Sequence, residues 1–230
     1  MYIIIAGNIA RDIQIELLNL GFAVIPTLQN TNVLKPLHYH PDMQLSLVGS
    51  TLVCEPSMYR FYSQSLKGSG ISIVCGKKET QCNYPADVAY NIKVIENSVF
   101  HNFRYTDPVL LKLIKGHQLI DVSQGYSGCS ICRAGRNAII TSDTVIHDAA
   151  MSNGIDSLLI STGHISLPGF DYGFVGGASF WHDKRVYFFG DVTKHPDYIR
   201  MEEFCRKHGS SICILGTGEL FDYGSAFTFD

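Results

Sequence analysis

The chain has no long apolar run and no basic tract, and each lack narrows its class. None of its 230 residues belongs to a stretch approaching the ~20 apolar residues that span a bilayer, so no membrane-spanning segment is expected. Lys and Arg form no run longer than two and the formal net charge is -3, which leaves no field for a phosphate backbone and argues against nucleic acid as a partner. The opening MYIIIAGNIARD has no basic segment ahead of its apolar run and no small-residue cleavage site after it, so it does not read as a signal peptide. A disulfide framework is missing too. The seven cysteines (Cys54, Cys75, Cys82, Cys129, Cys132, Cys205, Cys213) lie mostly inside apolar runs such as TLVCEP, ISIVCG and SSICILG, which predicts reduced, buried thiols and a cytoplasmic setting.

What is present is 46% hydrophobic and 17% charged residues, enough for one well-buried domain or two small ones. One succession of signals recurs along the chain. From His40, DMQLSLVG and TLVCEP read as two strands of a hairpin joined at Gly49-Ser50. SMYRFYSQSLKG reads as a helix capped by Ser57, and ISIVCG as a buried strand.

The same order of strand, strand, helix, strand returns three times. It runs DVAYNIKVI, NSVFHNF, a helix with Pro108 in its first turn, and QLIDVSQG. It runs again as CSICRAG, NAIITSD, TVIHDAAMSNG and IDSLLISTG, and then as YGFVGGASFWHD, RVYFFGD, a helix with Pro196 in its first turn, and SSICILGTG. A fifth unit starts with GSAFTFD and is completed from the other end of the sequence by MYIIIAG, the helix IARDIQIELLNLG and FAVIPT.

The expected architecture is therefore α/β: a single domain over 1–230 with units at 38–76, 82–122, 125–161 and 168–216, and a last one built from 220–230 plus 1–26. Such units closing into a propeller gather the starts of their inner strands around one axis. Asp42, Asp87, Cys129, Asp171 and Asp222 hold comparable positions near those starts. The tetrapeptide FDYG, at 170–173 and again at 221–224, marks matching turns in neighbouring units.

This five-fold grammar resembles the pentein superfamily of guanidino-group-modifying enzymes: arginine and agmatine deiminases, dimethylarginine hydrolase and amidinotransferases. Three local motifs are similar. His40-Pro41-Asp42 followed by a strand resembles the His-x-Asp strand of the deiminases. Cys129 in Gly128-Cys129-Ser130 resembles the nucleophilic cysteine that opens an inner strand. Val175-Gly176-Gly177-Ala178-Ser179 resembles the strand with two glycines, with Val175 where the family carries an acid. Their order along the chain implies a circular permutation, which a ring with adjacent termini tolerates.

The resemblance implies Cys129 as nucleophile, His40 as general acid and base with Asp42 beside it, and Asp171, Asp222 and Asp87 as carboxylates gripping a small cationic guanidino or amidino substrate. No cofactor or metal is implied. Elementary chemistry agrees, because a planar guanidinium needs carboxylates that accept paired N–H bonds and a nucleophile at its central carbon.

Plainer roles stand beside these. Cys129 also reads as a buried structural thiol, His40 as a loop histidine, and the FDYG aspartates as turn formers. Cys129 and Cys132, three apart on a strand, are expected to face opposite sides, which weakens a redox or zinc pair. Two other functions stay open. One is a non-catalytic pentein binding a small cation or a macromolecular surface. The other is a metallo-β-lactamase-like zinc hydrolase, drawn from His38-x-His40-x-Asp42, STGHISLPG and VYFFGD.

Overall fold

A computed structural model describes residues 1–230. In chain order the elements are β1 (Tyr2–Ile5), α1 (Arg11–Asn19) and β2 (Ala23–Pro26), then α2 (Pro41–Gln44), β3 (Leu45–Val48), β4 (Thr51–Cys54), α3 (Tyr59–Ser65) and β5 (Ser72–Cys75). There follow β6 (Lys93–Ile95), β7 (Ser98–His101), α4 (Pro108–Leu113) and β8 (Gln118–Asp121), then α5 (Ser127–Ser130), β9 (Cys132–Gly135), β10 (Ala138–Thr141), α6 (Thr144–Ser152) and β11 (Asp156–Leu159). The chain finishes with β12 (Ser179–His182), β13 (Arg185–Phe189), α7 (Tyr198–Lys207), β14 (Ser211–Leu215) and β15 (Phe227–Phe229).

These strands form five three-stranded sheets, in the orders β15-β1-β2, β3-β4-β5, β6-β7-β8, β9-β10-β11 and β12-β13-β14. In each, the first pair is antiparallel and the second parallel. Parallel neighbours need a crossover, and a helix supplies it in every sheet. The two ends of the chain share a sheet, with Ile3 of β1 opposite Thr228 of β15. No helix is long and apolar enough to cross a membrane.

The middle strands explain the apolar runs. Alternate side chains on a strand point to opposite faces, so a run such as Tyr2-Ile3-Ile4-Ile5 is stable only when both faces are covered. Ile3 and Ile5 pack with Phe180 and Phe189, while Ile4 between them packs with Leu45 and Leu52. The other middle strands split in the same way. Val53 meets Val99 and Leu110, Phe100 meets Ile139 and Ile146, and Ile140 meets Val186 and Phe188. Each of these five cores is shared by two sheets consecutive in the unit order, including the sheet that joins the termini to β3-β4-β5.

Several expected boundaries shift. The runs from Asp87 and from Tyr172 narrow to short strands at 93–95 and 179–182. Asp42 and Cys129 sit in one-turn helices ahead of their strands and not at strand starts. Ser57 does not cap its helix. The buried Glu55 carboxyl accepts from the Met58 N–H and from the Ser57 hydroxyl, so it takes the N-terminal donor that Ser57 was expected to satisfy.

Candidate active site

Two short turns carry the candidate residues. Pro41 at the first position of α2 pre-sets the helical φ, which leaves His40 at the N-cap and Asp42 in the first turn. Cys129 lies inside the corresponding turn α5. Its Sγ is 2.9 Å from Asp42 Oδ2. One reactive atom each of His40, Asp42 and Cys129 falls within 4.8 Å of the others, and all three residues are buried. His40 Nδ1 stands 4.0 Å from Asp42 Oδ1 and 3.9 Å from Asp222 Oδ1, too far for hydrogen bonds. His40 Nδ1 and Asp42 Oδ1 are thus buried polar atoms without a partner.

Asp222 is held by backbone. Its Oδ2 accepts from the Phe174 N–H at 2.8 Å and its Oδ1 from the Gly224 N–H at 2.9 Å. The turn role and the site role therefore coincide in this residue. Gly224 has φ +75°, and a Cβ there would lie 2.4 Å from His40 Cβ, so only glycine lets the FDYG turn pass the histidine. A Cβ on Gly177 would lie 1.9 Å from Asp222 Oδ1, so the second glycine of the pair makes room for this carboxylate.

The remaining expected residues are placed differently. Asp171, in the first FDYG, is exposed on the rim of a pocket of about 250 Å³ that Cys129 and Asp222 also line. The two FDYG turns are not equivalent: one aspartate is at the rim and the other is buried. Asp87 stands back from the pocket, where its Oδ2 accepts from the Tyr126 hydroxyl at 2.5 Å. His40 borders an adjoining cavity of about 620 Å³, which meets the first at Asp222 and Leu167.

Asn91 was not singled out from the sequence. Its Oδ1 accepts from the Cys129 N–H at 3.2 Å, and its Nδ2 donates to Cys129 Sγ at 3.3 Å and to the Asp42 carbonyl at 3.2 Å. A fully buried amide inside the run YNIKVI was the available signal.

Charge is suppressed throughout. Burial pushes the Asp42 carboxyl up to about 8, opposed by the Cys129 hydrogen bond and reinforced by Asp222. Burial also raises Asp222, against the pull of His40 and the two backbone donors. His40 is lowered by burial despite Asp222. The Cys129 thiol is driven well above its usual range by burial and then by the two carboxylates. Lys93, half-buried at the start of β6, sends a compensating positive field toward Asp42 and Cys129.

Cys132 joins a different apolar core from Cys129, so the two thiols diverge as expected, although the separation comes from the turn and not from strand parity. The zinc-hydrolase pattern is corrected. His38 pairs with Gln29, the His164 ring lies against His195, and Asp191 caps a short 3-10 turn. The sheets are five separate triplets and not two broad layers.

Sheet order and connection together define the fold, which is of the pentein type. The chain is similar to an amidinotransferase of the saxitoxin biosynthetic pathway from Microseira wollei, with TM-score 0.60, 10% identity and coverage of 98% of this chain and 93% of that one. It is similar to the dimethylarginine dimethylaminohydrolase of Pseudomonas aeruginosa, solved as a cysteine-to-serine mutant with citrulline, with TM-score 0.56, 8% identity and coverage of 94% and 92%. It is also similar to the inosamine-phosphate amidinotransferase of Streptomyces griseus, with TM-score 0.53, 13% identity and coverage of 93% and 76%. Within that fold, residues 4–227 match the family described as "Family of unknown function (DUF6873)", and the chain belongs to that family. No curated protein matches it in sequence.

Proposed function

We propose that this protein is a cysteine-dependent hydrolase or amidinotransferase-like enzyme acting on a guanidino or amidino compound. The observation that carries the reading is the buried cluster of Cys129, Asp42 and His40, whose Cys129 lines an open pocket and whose His40 borders the adjoining cavity, with an acceptor and an imidazole atom left unpaired. A guanidinium would supply a donor to the unpaired Asp42 Oδ1 and a positive charge beside the buried Asp222, and that charge would lower the Cys129 thiol. The fold shared with two amidinotransferases and a dimethylarginine hydrolase supports the same class.

The reading includes one domain whose five sheets close into a propeller, opened at a different point from the deiminases. Its support is that five cores link the sheets cyclically. In addition, β3, β6, β9, β12 and residues 225–228 at β15 all border one cavity.

The chemistry runs in two balanced halves. The Cys129 proton passes to His40 as sulfur bonds to the central carbon. His40 then delivers that proton to the departing amine as its C–N bond breaks, leaving a thiouronium-type intermediate. Water or an acceptor amine next attacks the carbon and gives a proton to His40. The C–S bond breaks and the thiolate takes the proton back. Asp42 and Asp222 orient the cation, and Asp171 draws it to the mouth.

Labelling with 2-chloroacetamidine tests this. The reagent is cationic, so it is expected to alkylate Cys129 at neutral pH about 100-fold faster than neutral 2-chloroacetamide, whose rate should keep climbing above pH 9 as the raised thiol ionises. Equal rates, or preferential modification of Cys54 or Cys205, would overturn the assignment.

A non-catalytic binding role is favoured by one feature, the apolar Val175, which is wholly buried in a core where the superfamily pattern places an acid. Reversible amidine binding without covalent turnover would select it.

A further inference from the structure

The pocket above Cys129 is acidic and aromatic, and no Lys, Arg or His lines it. Its floor is Cys129 and Asp222. Its wall is built from rings: Tyr126 stacks with Phe174 at 6.3 Å between centroids, and Tyr172 meets Phe174 edge-on at 6.4 Å. Phe170 and Tyr172 remain 41% and 39% exposed at the mouth, flanking Asp171. Together with Phe174 and Tyr126 these rings give the pocket a mainly apolar wall.

A substrate whose guanidinium sits on Asp222 has its substituent among these rings. An α-carboxylate on that substituent would meet Asp171 at the mouth with no cation lining this pocket to receive it, which costs the desolvation of a charge. An aromatic or alkyl group would bury its surface on Phe174 and Tyr172, and the cationic head would gain from the ring faces. The volume of about 250 Å³ accommodates a group of phenethyl size. We infer that the substrate is a monocationic guanidine or amidine bearing an apolar, preferably aromatic, substituent and no carboxylate. This rests on the guanidino reading of Cys129.

Three alkylating amidines separate the two ideas: 2-chloroacetamidine and its N-phenethyl and N-(4-carboxybutyl) derivatives. In each case Cys129 sulfur displaces chloride to form a thioether, and the rate is followed by peptide mass spectrometry. The N-phenethyl reagent is expected to react about tenfold faster than the parent and the carboxybutyl reagent more slowly than the parent. Phe174→Ala is expected to shrink the phenethyl advantage to about threefold or less. Tyr172→Ala, at a position 39% exposed, is expected to shrink it in the same direction. A carboxybutyl reagent as fast as the phenethyl one, or a phenethyl rate no higher than the parent, overturns the inference while leaving Cys129 as the nucleophile. If no amidine labels Cys129, the guanidino reading falls and this inference falls with it.

Discussion

At Asp42 the governing quantity is the cost of a buried carboxylate. Its pKa rises from 3.8 to about 8, so the folded chain holds this proton more tightly than the unfolded chain does. Stability from that proton is present at low pH and is lost as pH climbs from about 4 to about 8. Asp42→Asn carries no such proton. Urea denaturation is therefore expected to show wild-type stability falling relative to Asp42→Asn by on the order of a few kcal/mol across that window. The lowered His40 biases stability the other way below its ordinary pKa, but it does so in both proteins. A wild-type-minus-variant difference that stays flat with pH would show Asp42 ionised and the site wrongly described.

The legibility of single residues followed their chemistry. His40, Asp42, Cys129 and Asp222, which the structure gathers in one buried region, were readable as candidates because motif and side chain coincide. Asn91 was not, since an amide tether to a thiol 38 positions away leaves no periodic trace. Asp171 and Asp222, alike in sequence, were separated only by burial.

At the scale of elements, the strands were legible because both faces of each middle strand are buried, which writes an unbroken apolar run. The turns preceding them were not. Four residues with a proline at the start, or Ser-Gly-Cys-Ser, carry too little pattern to tell a helical turn from a strand end. Those turns set the site, and the Gly176-Gly177 segment packs directly under them. Its Gly177 N–H donates to the Cys129 carbonyl, and Tyr223 and Ser225 N–H groups donate to the Gly177 carbonyl. Gly177→Ala is expected to force the Asp222 carboxylate aside and to cost roughly 1–3 kcal/mol. Amidine labelling of Cys129 should fall about tenfold or more with it. Thermal denaturation and labelling rates check both. Unchanged labelling in a folded variant would remove Asp222 from the proposed cation site.

For the whole molecule, the decisive contact is the pairing of β15 with β1, which covers one edge of the strand whose Ile3, Ile4 and Ile5 feed two cores. Deleting residues 227–230 opens that edge and exposes apolar surface on both sides. A loss of about 2 kcal/mol lowers the Tm of a chain this size by roughly 4–8 °C, and at least that fall is expected in a thermal scan. A Tm unchanged by the deletion would mean that the terminal sheet does not join its neighbours energetically.

The amino-acid order by itself determined the repeat: five units of strand, strand, helix and strand, the unit shared by the two ends, and the residue types of the site. Those features are local, set by side-chain period, capping and turn chemistry within a few positions. Tertiary structure alone decided which aspartate is buried, that Asn91 tethers the thiol, and that rings rather than cations wall the pocket. Burial and convergence arise only when segments distant in sequence are packed against one another, and with them come the raised carboxyls and the unpaired atoms on which the proposed chemistry turns.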